Sequence, residues 1–181
     1  MPSHAAFLRA VNLGATRKAG SADLRAAFEE AGFGDVATLR NSGNVIFSAG
    51  SRAGPAKLAE RIEDALAETL GFEVPTFVSD AAQLRAIAEY RPFSAAAVDA
   101  SRGKLQVALL HSKPSAKDRK GVLALAGDRD RLALHGTELY WLPSGGTQQS
   151  SLDMKTIDRV LGPMTMRTQG TISQLHQKFF G

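Results

Sequence analysis

At 181 residues, the chain is long enough for one large domain or two small ones, and 44% apolar with 22% charged residues is the composition of a folded globular protein. No apolar run approaches the ~20 residues needed to cross a bilayer, and the absence of cysteine excludes disulfides, thiolate catalysis and Cys-ligated zinc together. The net charge of +4 is unevenly placed, with eight Lys/Arg against three acids between Ser101 and Arg131 and a nearly neutral remainder.

Residues 5–13 are apolar on both parities, which predicts a strand covered on both faces. Ser21 is an N-cap candidate for a helix carrying Leu24, Ala27, Phe28 and Ala31 on one side and stopped by Gly32. Residues 36–41 and 44–48 predict a hairpin closed by Ser42-Gly43. Pro55 suits the first turn of a helix with Leu58, Ile62, Leu66 and Leu70 at four-residue spacing, ended by Gly71. A proline-containing edge strand follows over 73–79, then a helix capped by Asp80 with Leu84, Ile87 and Ala88 inward.

The alanine- and serine-rich stretch 91–103 reads as a linker, after which the pattern recurs. Residues 104–111 alternate as a strand, 114–126 form a helix, and 131–135 pairs with 138–142 across Gly136-Thr137. A helix over 150–161, a strand over 164–168 and a helix over 171–180 complete the chain. Each half therefore reads β-α-β-β-α-β and then a helix. The expectation is an α+β protein built by tandem duplication of a ferredoxin-like unit, with subdomains at 1–90 and 104–181. The start lacks a basic leader, and a cytoplasmic protein is expected.

Phe7-Leu8-Arg9-Ala10-Val11-Asn12-Leu13-Gly14 and Ser42-Gly43-Asn44-Val45-Ile46-Phe47 resemble the opening motifs of the bacterial DUF1697 family of uncharacterised proteins. Arg91-Pro92-Phe93 is similar to that family's central Asn-Pro-Phe. Leu161-Gly162-Pro163 through Thr165, Arg167, Thr171 and Leu175 resembles its closing threonine-arginine-asparagine motif. The resemblance covers essentially the whole chain and implies two α+β subdomains, with no activity attached. Departures are Ser21-Ala22-Asp23-Leu24, which lacks the family's methionine, and Thr168 and Gly170, which replace asparagines.

Arg9 is expected within an otherwise apolar strand, where a charge needs either an interior partner or a ligand. The ligand-binding reading joins Arg9, Asn12, Ser42, Asn44, Arg167 and Thr171 into a site for a small anionic or polar ligand between the duplicated subdomains. The structural reading has Ser42, Gly43 and Asn44 serving the turn and Asn12 its own backbone. Gly145-Gly146-Thr147 before Ser150-Ser151 fits either a phosphate-cradling loop or a flexible loop with an N-cap serine, and it lacks the lysine and spacing of a P-loop. Lys117, Arg119 and Lys120 fit a solvated helix face, or a nucleic-acid surface drawing on the basic stretch 101–131. RNA recognition by stacking is disfavoured, because Arg9, Asn44 and Ile46 stand where aromatic rings are needed. The four histidines show no ligand spacing, and no metal, cofactor or acid/base pair is expected. An enzyme of unrecognised chemistry at the Arg9 site is the remaining rival.

Overall fold

Turn chemistry and apolar spacing account for most of the elements in the computed structural model, which describes all residues except 12–15, 17, 41, 42, 51 and 103. The protein is mixed α+β, with two four-stranded antiparallel sheets and seven α-helices among the described residues. Two units are distinguished: Met1–Ala86 together with Gln174–Gly181, and Ile87–Ser173.

The first unit comprises β1 (His4–Leu8), α1 (Ser21–Glu30), β2 (Gly34–Thr38), β3 (Asn44–Ser48), α2 (Pro55–Leu70), β4 (Thr76–Asp80) and the beginning of α3 (Ala81–Glu89). Its sheet order is β2-β3-β1-β4, with β1 antiparallel to both neighbours through pairs such as Ala6↔Val45 and Ala6↔Val78. Ala6, Leu8, Val45 and Phe47 share one face and pack with Leu24, Ala27 and Phe28 of α1 and Leu58, Ile62 and Leu66 of α2. Pro55 opens α2 and Gly71, at φ +78°, closes it, as the four-residue leucine spacing predicts. Phe47 meets Phe33 at 4.8 Å and Phe28 at 5.5 Å between ring centroids. Each fully buried large side chain here contributes roughly 1.5–3 kcal/mol. Ala5, Phe7, Ile46 and Phe77 on the opposite face are buried as well, so both faces of β1 are covered, as its sequence predicts.

Three expectations for this unit change. The first strand ends at Leu8 rather than residue 13, because Ala10 adopts φ +60° and turns the chain. Gly20, not Ser21, is the N-cap of α1, with Asp23 Oδ2 accepting from Gly20 N at 3.1 Å. The β2–β3 connection is longer than a two-residue turn; it is closed by Leu39 N donating to Asn44 O at 3.0 Å, with Gly43 at φ +72°. Residues 41 and 42 lie outside the described residues. Asp80 caps α3 as expected, accepting from Gln83 N at 2.8 Å.

The second unit contains α4 (Ala95–Ala100), β5 (Gln106–Leu110), α5 (Ala116–Leu123), β6 (Asp130–His135), β7 (Glu138–Pro143), a 3-10 turn (Thr147–Gln149), α6 (Met154–Leu161), β8 (Met164–Thr168) and the start of α7 (Gln169–Phe179). Its sheet order is β6-β7-β5-β8, again antiparallel throughout. Ala108, Leu110, Leu134 and Leu139 pack with Val122 of α5 and Ile157 of α6. The stretch predicted as a linker carries α4, capped by Ser94 Oγ. α6 begins at Met154 with Asp153 as its cap, so Ser150 is not a helix cap.

Candidate functional site

The expected site residues fall into two sets. Arg9 follows β1 instead of lying within it; it is half-buried, and its N–H donates to Pro75 O at 2.9 Å. The expected cost of a charge sealed in the middle of a covered strand therefore does not arise there. Asn44 is buried opposite Phe7, and its Nδ2 donates to Leu39 O at 3.3 Å. Side chain and backbone of Asn44 thus both close the β2–β3 connection. Asn12 and Ser42 lie outside the described residues.

Arg167 and Thr171 belong to the second unit. Arg167 sits in β8 opposite Val107, and its Nη1 donates to Thr165 Oγ1 at 2.9 Å and Met166 O at 2.8 Å. Burial disfavours its charged form and lowers its pKa to about 10, which still leaves a cation at neutral pH. Thr171 N donates to Thr168 Oγ1 at 3.1 Å, and the two hydroxyls share a hydrogen bond of 2.8 Å. These contacts shape the β8–α7 junction.

On the same sheet, Tyr90 stacks on His135 at 4.5 Å and meets Tyr140 at 4.8 Å. Burial raises the Glu138 carboxyl, against the opposing effect of the Thr137 hydroxyl bonded to it at 3.1 Å. Burial likewise raises the Tyr140 phenol, with Glu138 adding to the effect. Among the described residues no group of three His, Asp or Glu could hold a metal ion.

A polar pocket of about 200 Å³ unites two features that lie apart in the sequence: the basic stretch and the glycine-rich loop. Arg102 and Arg129 line it together with Ser144, Gly145, Gly146 and Ser150. The β6–β7 pairing makes this convergence possible, because it sets Asp130 opposite Pro143 and so places Arg129 beside the loop that leaves β7. Ser144 N donates to Arg129 O at 2.8 Å, and Arg102 N to Ser144 O at 3.2 Å, so three separate segments are fastened at one point. Asp130, 4% exposed, also lines the pocket; its Oδ1 accepts from Trp141 Nε1 at 2.8 Å and Ser150 Oγ at 2.7 Å. Ser150 Oγ in turn accepts from Leu152 N at 3.0 Å. Among the described residues the N–H groups of Gly145 and Gly146 have no protein acceptor.

The arginines stay exposed, while the carboxylate is committed to two donors. Two guanidinium groups, serine hydroxyls and two backbone N–H groups in a concavity of this size are chemically suited to a compact anion. Of the sequence features, the local excess of positive charge and Gly145-Gly146-Thr147 before Ser150-Ser151 both pointed toward this place. Lys117, Arg119 and Lys120 lie exposed on α5, outside the pocket.

A family model described as "Protein of unknown function (DUF1697)" matches residues 1–140. Among solved structures, that of the conserved bacterial protein SP0830 from Streptococcus pneumoniae is similar over 97% of each chain, with a TM-score of 0.71 and 20% identity. At that identity the likeness concerns the fold alone. No curated protein matches the chain. Among the described residues no helix is long and apolar enough to cross a membrane.

Proposed function

The chain belongs to the DUF1697 family of proteins of unknown function, so membership brings no activity with it, and we propose from its own residues that the second unit binds a small oxyanion. The observation that carries this reading is the convergence of Arg102 and Arg129, from separate segments, on a polar pocket of about 200 Å³ walled by the loop after β7. Guanidinium groups meet tetrahedral or planar oxyanions with paired donors, and charge-assisted hydrogen bonds of this kind are about twice as strong as neutral ones. Gly145 and Gly146 add backbone donors with no Cβ in the way of the ligand. A nucleic-acid reading would draw on the same basic stretch, but a concavity of about 200 Å³ suits a compact anion better than an extended phosphodiester backbone.

The finer reading of the fold is that each half is a ferredoxin-like β-α-β-β-α-β unit and that the halves arose by duplication. The matching strand orders, β2-β3-β1-β4 and β6-β7-β5-β8, support it. The cysteine-free sequence supports a cytoplasmic location.

Thermal melts with sulfate, phosphate and pyrophosphate, at ionic strength matched by chloride, test the binding reading. Phosphate at ten times its Kd should stabilise the protein by about 1.4 kcal/mol and raise the melting temperature by several degrees. Arg102→Gln combined with Arg129→Gln should abolish that rise while leaving the unliganded melt within about 0.5 kcal/mol. A phosphate effect no greater than that of chloride, or one that survives the double substitution, would overturn the reading.

A further inference from the structure

A second cavity in the same unit has different chemistry. It measures about 460 Å³, which lies in the ~300–1,000 Å³ range of small-molecule sites. Pro92, Phe93, Ala95, Val98 and Leu105 give it an apolar wall, and its polar lining consists of Arg91, Asp99 and Gln169. Each of these three is placed so that it retains something to offer a ligand.

Gln169 is the most constrained of them. Its backbone N donates to Leu105 O at 2.9 Å, and its side-chain Nε2 donates to Ile87 O at 3.0 Å and to Tyr90 O at 2.8 Å. Both amide protons are thereby engaged, which fixes the orientation of the amide and leaves Oε1 as a pure acceptor. Among the described residues Oε1 has no protein donor. Arg91 is held from the other side, its Nη1 donating to Ala88 O at 2.8 Å and Tyr90 O at 3.0 Å. One end of the guanidinium thus caps the final turn of α3, while Nη2 and Nε keep their protons for another acceptor. Asp99, on α4, forms no ion pair among the described residues, and neither does Arg91.

One cation and one anion therefore line a single apolar cavity without neutralising each other. That arrangement complements a ligand with separated opposite charges and an apolar body. The geometry points to a site for a zwitterion of the apolar α-amino acid class, with its carboxylate on Arg91, its ammonium on Asp99 and Gln169 Oε1, and its side chain against Phe93, Val98 and Leu105. A carboxylic acid without an amine would leave Asp99 facing the apolar part of the ligand, and an amine without an acid would do the same to Arg91.

Calorimetric titration of the full chain with L-phenylalanine and L-leucine tests this assignment, with N-acetyl-L-phenylalanine and L-phenylalanine amide as probes that each lack one charge. Saturable binding with a Kd of about 1 mM is expected for the free amino acids, with at least tenfold weakening for each single-charge probe. Asp99→Asn should weaken L-phenylalanine tenfold and leave N-acetyl-L-phenylalanine unchanged. Val98→Trp fills the cavity without altering its charges; it should abolish amino-acid binding while circular dichroism and the phosphate response at the Arg102–Arg129 pocket persist. Three results would each overturn the assignment: no saturable heat from either amino acid at 10 mM-scale concentration, well above that Kd, equal binding of zwitterion and single-charge probes, or binding that survives Val98→Trp. Because the phosphate response is read separately, failure here leaves the oxyanion reading standing, and the converse holds.

Discussion

Replacing Asp130 with alanine removes two hydrogen bonds from the second unit at once. Its Oδ1 accepts from Trp141 Nε1 at 2.8 Å and from Ser150 Oγ at 2.7 Å. Trp141 is 3% exposed, so its indole N–H would be left without water or a protein acceptor. A stranded buried donor of that kind costs roughly 1–3 kcal/mol. Ser150 is half-buried and can rehydrate, which holds its share to about 0.5–1 kcal/mol. The expected destabilisation for Asp130→Ala is therefore about 3 kcal/mol. Asparagine retains the acceptor oxygen without the charge, so Asp130→Asn should cost only about 1 kcal/mol. The two substitutions also separate stability from binding. The carboxylate lines the pocket, and removing its charge relieves at least about 1 kcal/mol of repulsion toward an anion there, or roughly fivefold or more in phosphate affinity. Urea unfolding gives the stabilities, followed by fluorescence of Trp141, the sole tryptophan; calorimetric titration gives the affinities. A loss under 1 kcal/mol for Asp130→Ala, or weaker phosphate binding by Asp130→Asn, would refute the reasoning.

Phe47→Ala should cost about 3–5 kcal/mol in urea unfolding, because the ring is fully buried and packs against Phe28 and Phe33. Glu138→Gln should raise thermal stability at pH 7 and be nearly silent at pH 4. The folded carboxyl is raised above its ordinary value by burial, so the native state holds the proton longer, and the wild type loses stability as pH rises through that window. His4, lowered chiefly by burial with Asp80 opposing, works the other way: wild-type stability should fall as pH drops below about 6.5, and His4→Gln should flatten that slope in melts between pH 7 and 5. Changing Lys117, Arg119 and Lys120 together to glutamine should alter stability by no more than about 0.5 kcal/mol, since all three are exposed.

The helices with a packed face were readable in advance, and the reasons are local. Leu58, Ile62 and Leu66 mark α2 by spacing, while Pro55 and Gly71 mark its ends by backbone chemistry. α4 was missed for the opposite reason: no residue of it is fully buried, so it shows no apolar periodicity, and only Ser94 signals its start. The end of β1 was misplaced because the sequence stays apolar past Leu8, and nothing in an alanine announces a left-handed backbone at position 10. That error carried over to Arg9, whose expected role rested on its lying inside the strand. The oxyanion pocket was half legible. Its charge appeared as a local excess, and the β6–β7 hairpin that sets Arg129 beside the glycine-rich loop was expected from Gly136-Thr137; the approach of Arg102, whose N–H reaches Ser144 O, had no signal in the sequence. The apolar cavity gave still less warning, because Gln169 acquires its meaning from Ile87 and Tyr90, far away in the sequence.

The first unit draws on both ends of the chain, Met1–Ala86 and Gln174–Gly181. Arg40 Nη2 donates to Gln174 Oε1 at 2.8 Å, one of the bonds made by that late-arriving segment. During synthesis, then, the unit that begins first is completed last. All of Ile87–Ser173 must be translated in between, which at ~5–20 residues per second takes on the order of 10 s. Through that interval the nascent first unit waits without its final helical segment, whereas the second unit is continuous and can close as soon as its own residues have emerged. A released chain truncated after Ser173 would hold all of the second unit and lack the closing segment of the first, and limited proteolysis of it should find cleavage concentrated before Ala86.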